Sequence, residues 1–201
     1  MAIKPILFNT EMVRAILGGR KTCTRRVIKP QWEECPTCKY VHNEYIYDKL
    51  AENVYCARCG YPLEPERIAP YQPGDILYVR ETFIQIAAHT FWYKAYGKSW
   101  MLKDLRWKPS IHMPKEAARI WLKVTDVRLE RLQEITIDGI RNEGLSSMAV
   151  HAGDMEIALK EWELLWSSTI KKSDLDRYGW DANPWVWVIE FERCEKPEGE
   201  N

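Results

Sequence analysis

Residues 119–132 read RIWLKVTDVRLERL. Apolar residues fall at every second position at Ile120, Leu122 and Val124, the spacing of a strand with one buried face. This is the best central-strand candidate in the chain. Working outward, WVWVIEFER at 185–193 places Trp185, Trp187, Ile189 and Phe191 on one face and reads as the closing strand. Upstream, ILYVRETF at 76–83 follows a YQPGD turn and reads as a strand, as do FWYKAY at 91–96 and the β-branched run TCTRRVIK at 22–29. Pro5 to Phe8 adds a short one.

Helical spacing appears in three places. DMEIALKEWELLWSSTI at 154–170 repeats Ala158, Trp162, Leu165 and Trp166 along one stripe. ITIDGIRNEG at 135–144 predicts a shorter helix closed by Gly144. Thr10 is a fair N-cap for a helix through EMVRAIL with Met12, Ala15 and Ile16 on one face, ended by Gly18 and Gly19. The stretch 171–184 reads as a polar loop. Five or six strands with three helices predict an α+β protein built on a small mixed β-barrel with flanking helices.

The chain has 201 residues, 46% hydrophobic and 29% charged, which excludes global disorder. Lys plus Arg and Asp plus Glu are 29 each, so attraction to nucleic acid or an anionic membrane requires a local patch. No apolar run approaches the ~18 residues of a membrane span, and the start does not read as a secretory signal. The expected compartment is reducing cytoplasm, where disulfides are rare.

Six cysteines occur, and four of them form CPTC at Cys35 and Cys38 and CARC at Cys56 and Cys59. Paired C-x2-C knuckles at this separation predict a structural four-thiolate zinc site, one per chain. Residues 33–66 differ in texture from their flanks and hold too little core to fold unaided. They are expected to be a zinc ribbon inserted into a host domain of residues 1–32 and 67–195, with a disordered tail at 196–201.

The local patch is at Arg20, Lys21, Arg25, Arg26 and Lys29, with no acid between Met12 and Trp32. Such a cluster can hold a phosphate or a carboxylate. Trp107 and Lys108 offer a stacking ring beside a positive charge, and His112 sits in a Pro-bounded loop between Pro109 and Pro114. Arg20, Arg25, Arg26, Trp107, Lys108 and His112 are therefore the candidate ligand-binding residues.

GGRKTCTRR at 18–26 resembles the ASCH-domain signature G-x-K-x-x-[TE]-x-R, falling on Gly19, Lys21, Thr24 and Arg26. The PGD turn, the WLKVT strand, the helix and the VWVIEF strand follow in the same order. RETF, WKPSIHMP and YGWDANPWVWV resemble the tailed-phage and prophage branch. The resemblance spans about residues 4–193. It implies a PUA-like barrel in a bacterial host cytoplasm that binds RNA or a nucleotide-like ligand.

One branch of the family hydrolyses the amide of acetylcytidine. By that resemblance Lys21 would be a general base and Thr24 a nucleophile, for an amidohydrolase or a ribonuclease. Lys123 stands where that branch carries a Glu, and Glu81 is the nearest substitute. In a regular strand residues 21 and 24 would face opposite sides, so the pair converges only if Lys21 sits in the turn before the strand. A further alternative is a phage accessory protein that binds another protein through the ribbon.

Overall fold

A computed structural model describes residues 1–29, 31, 34–39, 45–48, 50–51, 53–62, 69–97 and 105–198. Its strands are β1 (Ile3–Leu7), β2 (Cys23–Val27), β3 (Tyr45–Asp48), β4 (Asn53–Cys56), β5 (Ile76–Arg80), β6 (Phe83–Ala87), β7 (Thr90–Tyr93), β8 (Trp121–Arg131) and β9 (Trp185–Cys194). Its helices are α1 (Thr10–Leu17), α2 (Ile137–Asn142), α3 (Met148–Ala152), α4 (Met155–Thr169) and α5 (Leu175–Tyr178). The α+β reading holds. Five strands form the main sheet in the order β1-β5-β8-β9-β2, while β3-β4 and β6-β7 are separate hairpins.

The sheet is built on β8 and β9, which pair antiparallel from Trp121↔Cys194 to Arg131↔Trp185. Alternation along β9 feeds two cores at once. Trp185, Trp187, Ile189 and Phe191 join Ile6, Leu77, Leu122 and Val127 of the sheet and Val13 and Ile16 of α1. Val186 and Val188 join Ile140 of α2 and Ala158, Trp162 and Trp166 of α4. Fully burying an aliphatic or Phe side chain stabilises by about 1.5–3 kcal/mol, so this double coverage makes β9 the centre of the fold.

Strands β1 and β2 are the sheet edges. In a flat sheet they would lie about 19 Å apart, four strand spacings, far beyond any side chain. Yet Arg26 Nη2 of β2 donates to the Leu7 carbonyl of β1 at 2.8 Å, and the Phe8 ring lies 6.1 Å from Phe191. The sheet therefore curls until a side chain bridges its edges. Among the described residues no backbone ladder closes it, so the sheet is curled and the closure of the expected mixed β-barrel is not shown.

Other boundaries shift for local reasons. Asn9, not Thr10, caps α1, its side chain accepting from Met12 N. Val13 is buried on that helix along with Ala15 and Ile16, and Met12 is half-buried. The 76–83 stretch breaks into β5 and β6 at Glu81 and Thr82, where the Glu81 carboxylate is buried against Arg119. The polar loop at 171–184 contains α5. The unanticipated α3 is a single turn between Ser147, which caps it, and Gly153 at φ +75°.

The hairpin β3-β4 docks on the main core. Tyr45 meets Trp185 edge-on at 5.4 Å and Tyr47 meets Trp187 at 4.8 Å, while the Tyr47 hydroxyl donates to Gln72 Oε1. The ends of the 33–66 segment and residues 199–201 lie outside the described residues. No helix among those described is long and apolar enough to cross a membrane.

Candidate functional site

Helix α1 ends at Gly18, and Gly19 at φ +70° reverses the chain so that the Arg20 and Lys21 amides both donate to Ala15 O. Lys21 thus precedes β2, in the turn that convergence with Thr24 requires. It forms an isolated bridge with Glu143 at the end of α2. Its Nζ donates to Glu143 Oε2 at 2.6 Å and to Glu143 O at 3.0 Å. The other carboxylate oxygen accepts from Arg25 N at 2.6 Å and Arg25 Nη1 at 3.4 Å. The side chains of Lys21 and Glu143 are 0% and 3% exposed, so this is a fully desolvated ion pair.

Glu143 is the residue the sequence reading missed. A local signal existed in Gly144, which has φ +98° and whose added Cβ would lie 2.8 Å from Ala15 Cβ. Only glycine lets this segment approach α1 so closely. Nothing in spacing, however, ties position 143 to position 21.

The β2 strand then splits the basic cluster by parity. Thr24 and Arg26 lie opposite Ile189 and Trp187 and share the main-core face. Cys23 and Arg25 lie opposite Glu190 and Val188 on the helix-covered face, where Arg25 Nη2 also meets Glu130 at 3.0 Å. Arg25 and Arg26 therefore do not face one pocket. Burial, with Glu143 nearby, pushes the Cys23 thiol up to about 12, which leaves it an inert packing group.

On the main-core face Lys21 Nζ and the Arg26 guanidinium converge on the Phe8 ring, 5.6 Å and 5.4 Å from its centroid. Burial lowers the Arg26 pKa, with Tyr71 and Glu143 acting the other way. Arg80 stands in register with Leu7, donates to Met113 O at 2.9 Å and also bonds Ile111 O. This ties the turn carrying the exposed His112 to the end of β5.

Trp107 is half-buried and Lys108 exposed. Lys108 pairs through its backbone with Phe83, next to the small cluster of Phe83, Tyr93, Met113 and Ala117. No hydrogen bond, ion pair or ring contact among the described residues joins Trp107 or Lys108 to the basic segment. Arg20 is exposed and donates to Gly144 O and Ser146 Oγ, both at 3.0 Å.

Glu81 is held elsewhere. Arg119 grips it with Nε at 2.9 Å and Nη2 at 3.0 Å, and that guanidinium is flanked by the rings of Tyr93 and Tyr96 at 4.3 and 4.2 Å. Burial raises the Glu81 pKa more than Arg119 lowers it. The carboxylate beside Lys21 is Glu143. Lys123 is exposed, with Ile76 and Glu192 as its cross-strand neighbours, so its charge is spent on solvent.

Cys35, Cys38, Cys56 and Cys59 meet. All four sulfurs lie within 4.8 Å of one another, with Cys35–Cys59 at 3.6 Å and Cys38–Cys56 at 3.8 Å. A tetrahedron with zinc–sulfur bonds of about 2.3 Å has edges of about 3.8 Å, so the donor set fits a metal ion. Gly60 at φ +68° turns the second knuckle, its amide donating to Cys56 O.

No protein-family model matches the chain, and no curated protein sequence matches it. Two solved structures are similar in outline. One is a hypothetical protein with 15% identity and a TM-score of 0.40, covering 96% of this chain and all of that one. The other is an ASCH domain from Lactobacillus crispatus with 12% identity and a TM-score of 0.38, covering 96% of this chain and 79% of that one. At these values neither a family nor an activity follows from the likeness.

Proposed function

We propose that the chain is a phage or prophage ASCH-type protein of the bacterial cytoplasm that binds RNA or a nucleotide-like ligand, with one structural zinc in its ribbon. The observations that carry the binding reading are Arg26, which reaches the Leu7 carbonyl at the curled edge of the sheet, and Arg80, on β5 in register with Leu7. Both are held in place by main-chain carbonyls, and among the described residues neither has a carboxylate within ion-pair distance. Positive charge fixed without a local counter-ion attracts a phosphate or carboxylate. Lys21 Nζ also lies over the Phe8 ring, Thr24 shares the main-core face with Arg26, and His112 lies in the turn that Arg80 holds.

The hydrolase alternative is the weaker one. It asks Lys21 to take a proton, yet its Nζ is committed to Glu143, and both oxygens of Glu143 are already occupied. Glu81 is clamped by Arg119. The test is RNA and nucleotide binding across a salt series, with Arg26→Gln and Arg80→Gln as variants. Each should weaken binding and lower the salt slope by about one, the contribution of a single phosphate contact. Unchanged affinity in both would place the ligand elsewhere. Turnover of acetylcytidine or RNA that disappears in Lys21→Ala would instead establish the enzyme reading. Elemental analysis giving no zinc would remove the metal.

A further inference from the structure

Next to the Lys21–Glu143 pair, and separate from the Arg26–Arg80 edge, lies a recess of about 260 Å³. Arg20 and Thr22 form one wall, and Arg141, Asn142, Ser146 and His151 form the other. Among the described residues no carboxylate lines it. The geometry points to a phosphate-group subsite here, with Arg20 as its principal ligand and Ser146, Arg141 and His151 completing it.

Arg20 is preorganised for the task. Its Nη1 is pinned on Gly144 O and Ser146 Oγ, while Nε and Nη2 have no acceptor among the described residues. Those two donors form the planar edge that matches two oxygens of a phosphate. Ser146 Oγ accepts from Arg20, so its own hydrogen is left to donate. His151 Nδ1 lies 2.7 Å from Ser147 O, a pure acceptor, which places the proton on Nδ1. Its Nε2 is then available to a P–OH, or as imidazolium to a phosphate oxygen.

Arg141 is steadied by Asp138 and by Val150 O at 3.2 Å, so part of its charge is offset. Arg20 remains the uncompensated cation, which is why it leads. Pockets that enclose a whole drug-sized molecule run from about 300 to 1,000 Å³. This recess, smaller than those, has room for a phosphate group.

The test is an NMR titration of amide shifts in the full chain at low ionic strength, using inorganic phosphate with chloride as control. Saturable shifts are expected at amides of residues 19–22 and 141–151. Arg20→Gln should weaken them about tenfold, the scale of one lost charged hydrogen bond, and His151→Gln by less. Shifts that chloride reproduces, or that Arg20→Gln leaves unchanged, overturn the subsite. Should Arg20→Gln not fold, Ser146→Ala and His151→Gln together make the same decision.

Further arms name the source of the phosphate. Competition by a nucleoside monophosphate but not by the nucleoside assigns a nucleotide phosphate. Competition only by an oligonucleotide assigns a phosphodiester, and no competition assigns free phosphate. Arg26→Gln should leave the phosphate titration intact, so a failure of the sheet-edge reading and a failure of this subsite are told apart.

Discussion

The cysteine hairpin and the main sheet are built in opposite ways. The sheet carries two hydrophobic clusters, one on each side of β9, with ten of their members below 1% exposure. Among the described residues the cysteine hairpin contributes Tyr45 and Val54 to these clusters, with Tyr47 packed against them, and gathers four sulfurs within 4.8 Å. The difference teaches where each region can be broken. The sheet should respond to lost packing or lost ion pairs, and the cysteine hairpin to loss of the proposed metal.

The largest effect is expected on the ribbon. Structural zinc supplies about 10–16 kcal/mol in small metal modules, far more than two buried side chains. Chelation, or Cys56→Ser, should melt the β3-β4 hairpin and strip Tyr45 and Tyr47 from Trp185 and Trp187, read as a change in near-UV circular dichroism. The sheet should still unfold in one cooperative transition. Complete unfolding on chelation would break the comparison, because the docked tyrosines would then be essential to the sheet.

Next comes Glu143→Ala. It would leave Lys21 buried without its partner, and breaking a buried pair costs about 3–5 kcal/mol. Thermal melting should show that loss while zinc content stays unchanged, which sharpens the separation of the two regions. Gly144→Ala should follow at about 1–3 kcal/mol, since φ +98° strains any L-residue and the new methyl would press on Ala15. A melting temperature equal to wild type would mean that α1 can move away.

The smallest effect concerns pH. Asp75 accepts from Ala2 N and Gln72 N and pairs with Lys4 at 2.8 Å. Burial pushes its pKa up, but these bonds prevail and hold it below the ordinary carboxylate value. Its contribution is therefore present above the unfolded value of about 3.9 and is lost as pH falls through the depressed folded value. Asp75→Asn should cost about 1 kcal/mol at neutral pH, and the gap from wild type should close below about pH 4. A gap that persists at pH 2 would mean that Asp75 acts through shape alone.

Much of this fold is legible in one dimension because burial imposes a period. The face of β9 formed by Trp185, Trp187, Ile189 and Phe191, and the α4 stripe of Ala158, Trp162 and Trp166, are visible as alternation and as helical spacing. The cysteine knuckles are visible because a tetrahedral ion needs two ligands from each tight turn. The site is less legible. Composition places Lys21, Arg25 and Arg26 in one patch, yet Arg25 is spent on Glu143 and Glu130 and only Arg26 reaches the sheet edge. Glu81 lies on a predicted strand, but the strand breaks there and delivers it to Arg119.

What the sequence determined by itself is local: which residues form strands and helices, which face of each is apolar, and which four sulfurs can share an ion. What only the tertiary structure decided is partnership across distance. Lys21 meets Glu143 because β2 starts where α2 ends, 122 residues further on. Arg26 meets Leu7 because the β1-β5-β8-β9-β2 order curls its two edges together. Periodicity is fixed by the chain's own backbone geometry. The partner of a buried charge is fixed by which strands the whole fold sets side by side, and no spacing along the chain records that.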